Sequence, residues 1–195
     1  MYLSLGSNLG DRAGNLRRAV QDLSGDLEDL RVSSMYETEP LYLRQQPHFL
    51  NIVAAGRCRL SPQALLERIH GIEARLGRDR SREVPKGPRP IDIDILLYGE
   101  LTVDTAALQI PHPGLRERQF VLVPLLEIDP AVCDPRSGES YAAVSRALAS
   151  ASPPDPQPGT EGPQPGPPSS PGAGRGGQGV YIFGPWAYTE PPGET

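Results

Sequence analysis

Apolar residues recur along the chain with two different periods, and each period marks its own kind of element. Leu16, Ala19, Val20 and Leu23 follow helical spacing, with Arg12, Arg17, Arg18 and Asp22 off the stripe, which predicts an amphipathic helix closed by Ser24-Gly25. Asp11 or Asn8 is placed to cap its start. A second stripe of Leu65, Leu66, Ile69, Ile72 and Leu76 opens on Ser61-Pro62 and stops at Gly77. Glu73 lies one position from that stripe, a half-buried acid near the helix end. Strands are predicted over residues 2–6, 30–36, 49–56 and from 91 to 98, where β-branched and apolar residues dominate. Residues 38–48 form a polar loop between two of them. A short strand at 101–103, helical pieces at 114–118 and 120–127, and a last helix at 141–149 follow. The order β-α-β-β-α-β, then a hairpin and C-terminal helices, predicts an α+β domain of the split βαβ kind. Its antiparallel sheet carries helices packed on one face.

The strand from Ile91 is two-faced. Ile91, Ile93, Ile95 and Leu97 alternate with Asp92 and Asp94, so one face makes core and the other holds two carboxylates about 7 Å apart at the backbone. One reading is an edge strand with a solvated acidic face. The other is a hard-oxygen site for Mg²⁺, which takes one or two carboxylates and completes its shell with phosphate and water. The preceding loop, residues 78–89, is crowded with arginine and has no apolar period. Surface ion pairs contribute only about 0–1 kcal/mol each, a poor reason for so many. A nucleoside triphosphate with Mg²⁺ gives both sets a role: Arg78, Arg80 and Arg89 grip phosphate oxygens as forks, and Asp92 and Asp94 hold the metal that bridges them.

His112 sits between Pro111 and Pro113, with Arg116 and Arg118 close behind. Such a histidine is either a satisfied structural residue or a fixed donor near the phosphates. Phe49 and Phe120 are either plain core or the two walls of a slot for a flat heterocycle, with Asn51 reading its edge. Asn51, inside an apolar strand, needs a hydrogen-bond partner in either case. The Gly6-Ser7-Asn8 turn fits neither the P-loop nor the dinucleotide pattern.

Composition divides the chain. Residues 151–195 hold 12 of the 23 prolines and 10 of the 21 glycines, too many backbone breakers to bury a core. Residues 1–150 are therefore expected to fold as one domain, with 151–195 a mostly disordered tail whose partner is unknown. Tyr181-Ile182-Phe183 with Trp186 is its one apolar spot, placed to dock on the domain or on a partner. The tail carries −3 of the −5 net charge, so no charge argument favours nucleic acid. No membrane span and no signal-peptide pattern is present, and Cys58 and Cys133 lack metal spacing. A cytoplasmic monomer with reduced core thiols is expected.

Together these motifs resemble the 6-hydroxymethyl-7,8-dihydropterin pyrophosphokinase family of folate biosynthesis. The likeness rests on residues 5–11, 36–41, 46–51, Ile72-Glu73, Gly77-Arg78 with Arg80, and above all residues 87–96 and 111–113. It implies a ferredoxin-like α/β sandwich that transfers pyrophosphate from ATP to the pterin hydroxymethyl group, releasing AMP. Asp92 and Asp94 would ligate two Mg²⁺ ions, and Arg78 and Arg89 would act on the phosphates. Arg80, His112 and Arg118 would be further ATP contacts, Glu73 would lie on the ribose side, and Ile95 would pack near adenine. Phe49 and Phe120 would sandwich the pterin, with Thr38, Pro40, Leu41 and Asn51 around its edge. Lys86 stands where some members carry an aromatic, Pro85 where they carry a basic residue, and the loop is one residue longer. Two other classes compete: a non-catalytic interaction module that recruits partners through its tail, and a different Mg²⁺-dependent nucleotide transferase on the same fold.

Overall fold

A computed structural model of the chain describes residues 1–41, 43, 45–151 and 180–186. The first strand, β1 (Tyr2–Ser7), runs into α1 (Arg12–Ser24). Asp11 is the cap of α1, its carboxylate accepting from the Gly14 amide. Strands β2 (Leu27–Val32) and β3 (Met35–Thr38) follow, then β4 (Phe49–Cys58) and α2 (Pro62–Arg75). Ser61 caps α2 with Pro62 in its first turn. Next come β5 (Asp92–Leu97) and the small hairpin of β6 (Val103–Asp104) and β7 (Gln109–Ile110). A 3₁₀ turn at Pro113–Glu117, α3 (Gln119–Ile128), α4 (Tyr141–Ala151) and β8 (Val180–Gly184) complete the described elements.

The main sheet is antiparallel in the order β5-β1-β4-β3-β8, with β2 paired to the far end of β4. The single strand expected over 30–36 is two strands, β2 and β3. They break at Ser33, whose hydroxyl accepts from the Val53 amide and so replaces a ladder bond. The hairpin strand expected at 101–103 lies later, at Val103–Asp104, while Leu101 makes only an isolated bridge to Tyr98.

Helices cover both faces, which corrects the one-face expectation. On one face α1 and α2 bury Leu16, Val20, Leu65 and Ile69 against Leu3, Leu5, Ile52 and Ile93. Each such side chain contributes roughly 1.5–3 kcal/mol when fully buried. On the other face α3 and α4 bury Leu122, Leu125 and Tyr141 against Val53 and Leu96. Leu97, expected beside the isoleucines, joins this second cluster. The register between β1 and β5 shifts between Tyr2 and Leu3, so the extra residue on β5 turns its last side chain to the opposite face.

The expected division at residue 150 borders residues 152–179 of the expected tail, which together with 187–195 lie outside the described residues. Its apolar spot does dock on the domain: β8 pairs with β3, and Trp186 packs against the first cluster. Both cysteines are free, and Cys133 is exposed rather than in the core. Among the described residues no helix is long and apolar enough to cross a membrane.

Candidate active site

Strand alternation builds the floor of the site. Ser4 pairs with Asp94 on one side and Val53 on the other; Gly6 pairs with Asp92 and Asn51. Asp92, Asp94, Ser4, Gly6 and Asn51 therefore share one face, while Ile91, Ile93 and Ile95 anchor in the core opposite. Gly6 leaves a gap there, since a Cβ at this position would stand 2.9 Å from Asn51 Oδ1. Asn51 finds its partner in Thr38, donating from Nδ2 to Oγ1 at 2.7 Å. Its Oδ1 is thereby turned toward the gap.

Above this floor lies a cavity of about 140 Å³. Phe49 and Phe120 stand in its wall with Thr38, Leu41, Asn51, Asp92, Asp94, Arg89 and Arg118. Each aromatic has a guanidinium over it, Arg89 at 5.5 Å from the Phe49 centroid and Arg118 at 5.9 Å from that of Phe120. A second cavity, of about 380 Å³, opens between α2, β5 and the β6–β7 hairpin, lined by Arg80, Ile95, His112, His70 and residues 105–109. Asp94 belongs to both walls.

The charged groups divide between the cavities and the layer beneath them. Arg78 and Glu73 line neither cavity; both are buried. Arg78 donates to Glu73 at 2.6 Å, to Glu83 at 2.7 Å and to Asp92. Glu73 also accepts from Arg80 at 2.6 Å and from the Ile93 amide at 2.9 Å. In this structure Glu73 is thus the hub of a buried ion network under β5 rather than a wall residue, and Arg78 holds Asp92 from below. Pro40 is buried outside the cavity wall, and Arg118, expected beside ATP, stands in the first cavity.

The two aspartates have opposite electrostatics. Burial alone would push the Asp92 carboxyl up, but the Arg89 and Arg78 guanidiniums hold it below the usual range. Burial and the neighbouring Asp92 charge push Asp94 up to about 7, against the pull of Arg118 and Arg89. His112 is pushed down to about 4 by burial and by Arg118. Its Nδ1 accepts from the Gly114 amide, so the neutral ring carries its proton on Nε2, which faces Asp94 at 3.9 Å.

Sequence reasoning missed the clamp that holds the site's loops. Asn8 accepts from the Arg89 amide at 2.8 Å and donates to Gln46 Oε1 and the Pro47 carbonyl. Ser7 and Asn15 both donate to the Pro90 carbonyl. The signal was the polar turn after β1, which binds protein backbone instead of phosphate. Lys86 and Gln46 also line the first cavity, and the Gln46 side chain donates to the Lys86 carbonyl.

Comparison with known proteins matches residues 2–130 to a family profile described as 7,8-dihydro-6-hydroxymethylpterin-pyrophosphokinase (HPPK). The chain is 42% identical over 135 residues to the 2-amino-4-hydroxy-6-hydroxymethyldihydropteridine pyrophosphokinase of Aquifex aeolicus, covering 69% of this chain and 83% of that one. The Bacillus subtilis protein of the same name is 46% identical over 129 residues, covering 65% and 76%. The folic acid synthesis protein fol1 of Schizosaccharomyces pombe is 44% identical over 137 residues, 69% of this chain but only 18% of that much longer protein. Among solved structures, a Plasmodium falciparum HPPK-DHPS superposes with a TM-score of 0.63 at 15% identity, covering 76% of this chain and 43% of that one, a likeness of fold.

Proposed function

The chain belongs to the 7,8-dihydro-6-hydroxymethylpterin-pyrophosphokinase family, and we propose that it transfers pyrophosphate from ATP to 6-hydroxymethyl-7,8-dihydropterin, releasing AMP, in folate synthesis. The observation that carries this reading is the double membership of Asp94. One carboxylate stands in the wall common to an aromatic-flanked cavity and to a cavity edged by Arg80 and His112. An acceptor alcohol on one side and a nucleotide on the other meet at that wall, as an in-line displacement requires.

The heterocycle enters between Phe49 and Phe120, and Asn51 Oδ1 accepts from its N–H edge. Thr38 holds that amide in place, with Leu41 at the rim. On the other side Ile95 packs near the adenine, and His112 offers its Nε2–H to a phosphate oxygen. Arg89 and Arg118 present positive charge where the transferring phosphates pass, with Arg80 at the mouth of the second cavity. Arg78 and Glu73 position Asp92 and the start of β5.

The donor set suits magnesium. Asp92 and Asp94 present two hard carboxylates on one face of β5, both in the wall of the first cavity, a donor set suited to an ion that completes its shell with phosphate and water. Asp92 and Asp94 would hold the ions, which supply charge neutralisation for the phosphates and a lowered pKa for the acceptor alcohol.

The test is incubation with ATP, Mg²⁺ and hydroxymethyl-dihydropterin. AMP and a diphosphorylated pterin are expected in equal amounts. ADP in place of AMP, or no turnover, refutes the reading.

A further inference from the structure

The family match ends at residue 130, yet one segment beyond it reaches the site's edge. Strand β3 is four residues long and pairs with β4 on one side, placing Thr38 opposite Phe49 and Tyr36 opposite Asn51. Its other edge is filled by β8: Thr38 pairs with Val180, Glu37 with Tyr181 and Tyr36 with Ile182. Val180 is 5% exposed, and Trp186 lies against the α1–α2 side of the core. Thr38 receives the Asn51 amide, and the chain leaves β3 directly into Glu39 and Leu41 of the cavity wall. Met35 in the core and the Tyr36 hydroxyl, donating to Glu127 at 2.8 Å, hold the first half of this strand, but four residues make few ladder bonds to hold its Thr38 end. A second partner pins its register.

We infer that β8 is a positioning strand for the acceptor cavity: it fixes Thr38 and the wall that follows, and so sets affinity for the flat heterocycle without touching it. This rests on the assignment of that cavity to the acceptor. The coupling runs through backbone. β8 holds β3, β3 holds the Thr38 hydroxyl, and that hydroxyl aims Asn51. The second cavity, built from α2, β5 and the β6–β7 hairpin, has no share in this chain of contacts.

The test breaks the pairing inside the full-length protein. Successive residues of an antiparallel strand point their amides to opposite sides. The double variant Tyr181→Pro with Ile182→Pro therefore removes a ladder hydrogen bond whichever residue faces β3. Neither side chain is in the core. Val180→Asp is the second variant, and Val180→Ile the conservative control. The expected result is a rise of about five- to tenfold in KM for the dihydropterin, with KM for ATP within about twofold of wild type. Hydrogen exchange at the amides of Glu37 and Thr38, successive residues of which one faces β8, should accelerate in both disruptive variants and match wild type in Val180→Ile. An unchanged pterin KM overturns the inference, as does an equal change in both KM values with a lowered melting temperature, the signature of a merely stabilising strand. If wild type releases no AMP, the assignment of function fails instead. Direct pterin binding by fluorescence titration, with the exchange data, then decides the role of β8: equal binding by wild type and the double variant overturns it.

Discussion

A methyl group at Gly6 would stand 2.9 Å from Asn51 Oδ1, and Asn51 is held from its other end by Thr38. The amide cannot swing away without losing that bond. Gly6→Ala is therefore expected to turn Asn51 out of register with the bound ring and to raise KM for the dihydropterin about tenfold, with KM for ATP little changed. Steady-state kinetics with each substrate varied in turn checks this; equal effects on both substrates would contradict it.

Asp94→Asn keeps the shape of the shared wall and removes its charge. Turnover is expected to fall about a thousandfold or more, since charge stabilisation at a phosphoryl-transfer site is worth that much. Two partly buried carboxylates on one strand face repel, so the variant is expected to melt no lower than wild type. AMP release and thermal unfolding measured together separate the two effects. Near-normal turnover would remove Asp94 from the site.

Glu73→Gln tests the buried network. Glu73 is 1% exposed and takes Arg78, Arg80 and the Ile93 amide. Neutralising it leaves buried guanidinium charge short of a partner, a change that costs about 3–5 kcal/mol. Urea unfolding should show the midpoint moving down without a change in slope. A loss under about 1 kcal/mol would mean Glu83 and Asp92 suffice for Arg78.

Lys86 has φ of 62°, in the left-handed region. It follows Pro85 in a turn closed by the Gly87 amide donating to the Val84 carbonyl at 2.8 Å. Such turns favour glycine at this place. Lys86→Gly is expected to stabilise the protein by about 1 kcal/mol, read from denaturant unfolding. Destabilisation would show that side-chain contacts outweigh the backbone strain.

Asp134 sets an acid limb. Burial works against its ionised form, but the Arg136 amide, the Arg116 guanidinium and the Ser137 amide bind the carboxylate and hold its pKa below the ordinary 3.8. Above 3.8 both folded and unfolded chains are ionised and the contribution is complete. As pH falls below 3.8 the unfolded chain takes up the proton first, and stability is lost on the way down through the folded value. Asp134→Asn should flatten stability against pH in that window. An acid limb identical to wild type would place the effect on other groups.

The two helix stripes and the Asp92/Asp94 face were legible because strand alternation and helix periodicity are local properties, whereas the break that makes β2 and β3 out of one expected strand depends on the contact of Ser33 with β4. The aromatic pair was named from residue type, with plain core as the other reading, and from the family resemblance; the packing of α3 on the sheet brings Phe49 and Phe120 into one wall. Arg78 shows where reading by residue type stops. An arginine beside an acidic strand reads as a phosphate ligand, and only the fold reveals that Glu73, Glu83 and Asp92 accept from it. The turn of Leu97 to the far face followed from a register shift that no single-strand pattern encodes. β8 was visible as an apolar spot, but its partner edge could be known only once β3 was placed.

Asn8 gives the site a constraint on how it can change. One short amide fastens both the loop before β5, through the Arg89 amide, and the loop before β4, through Gln46 and Pro47. Both loops reach the first cavity, Gln46 from one and Lys86 and Arg89 from the other, and they share this tether, so an insertion or substitution that moves one drags the other. Reshaping one side of that cavity without disturbing the other therefore calls for changes beyond the tether, in the walls, and Asn8 itself is the worst place to begin.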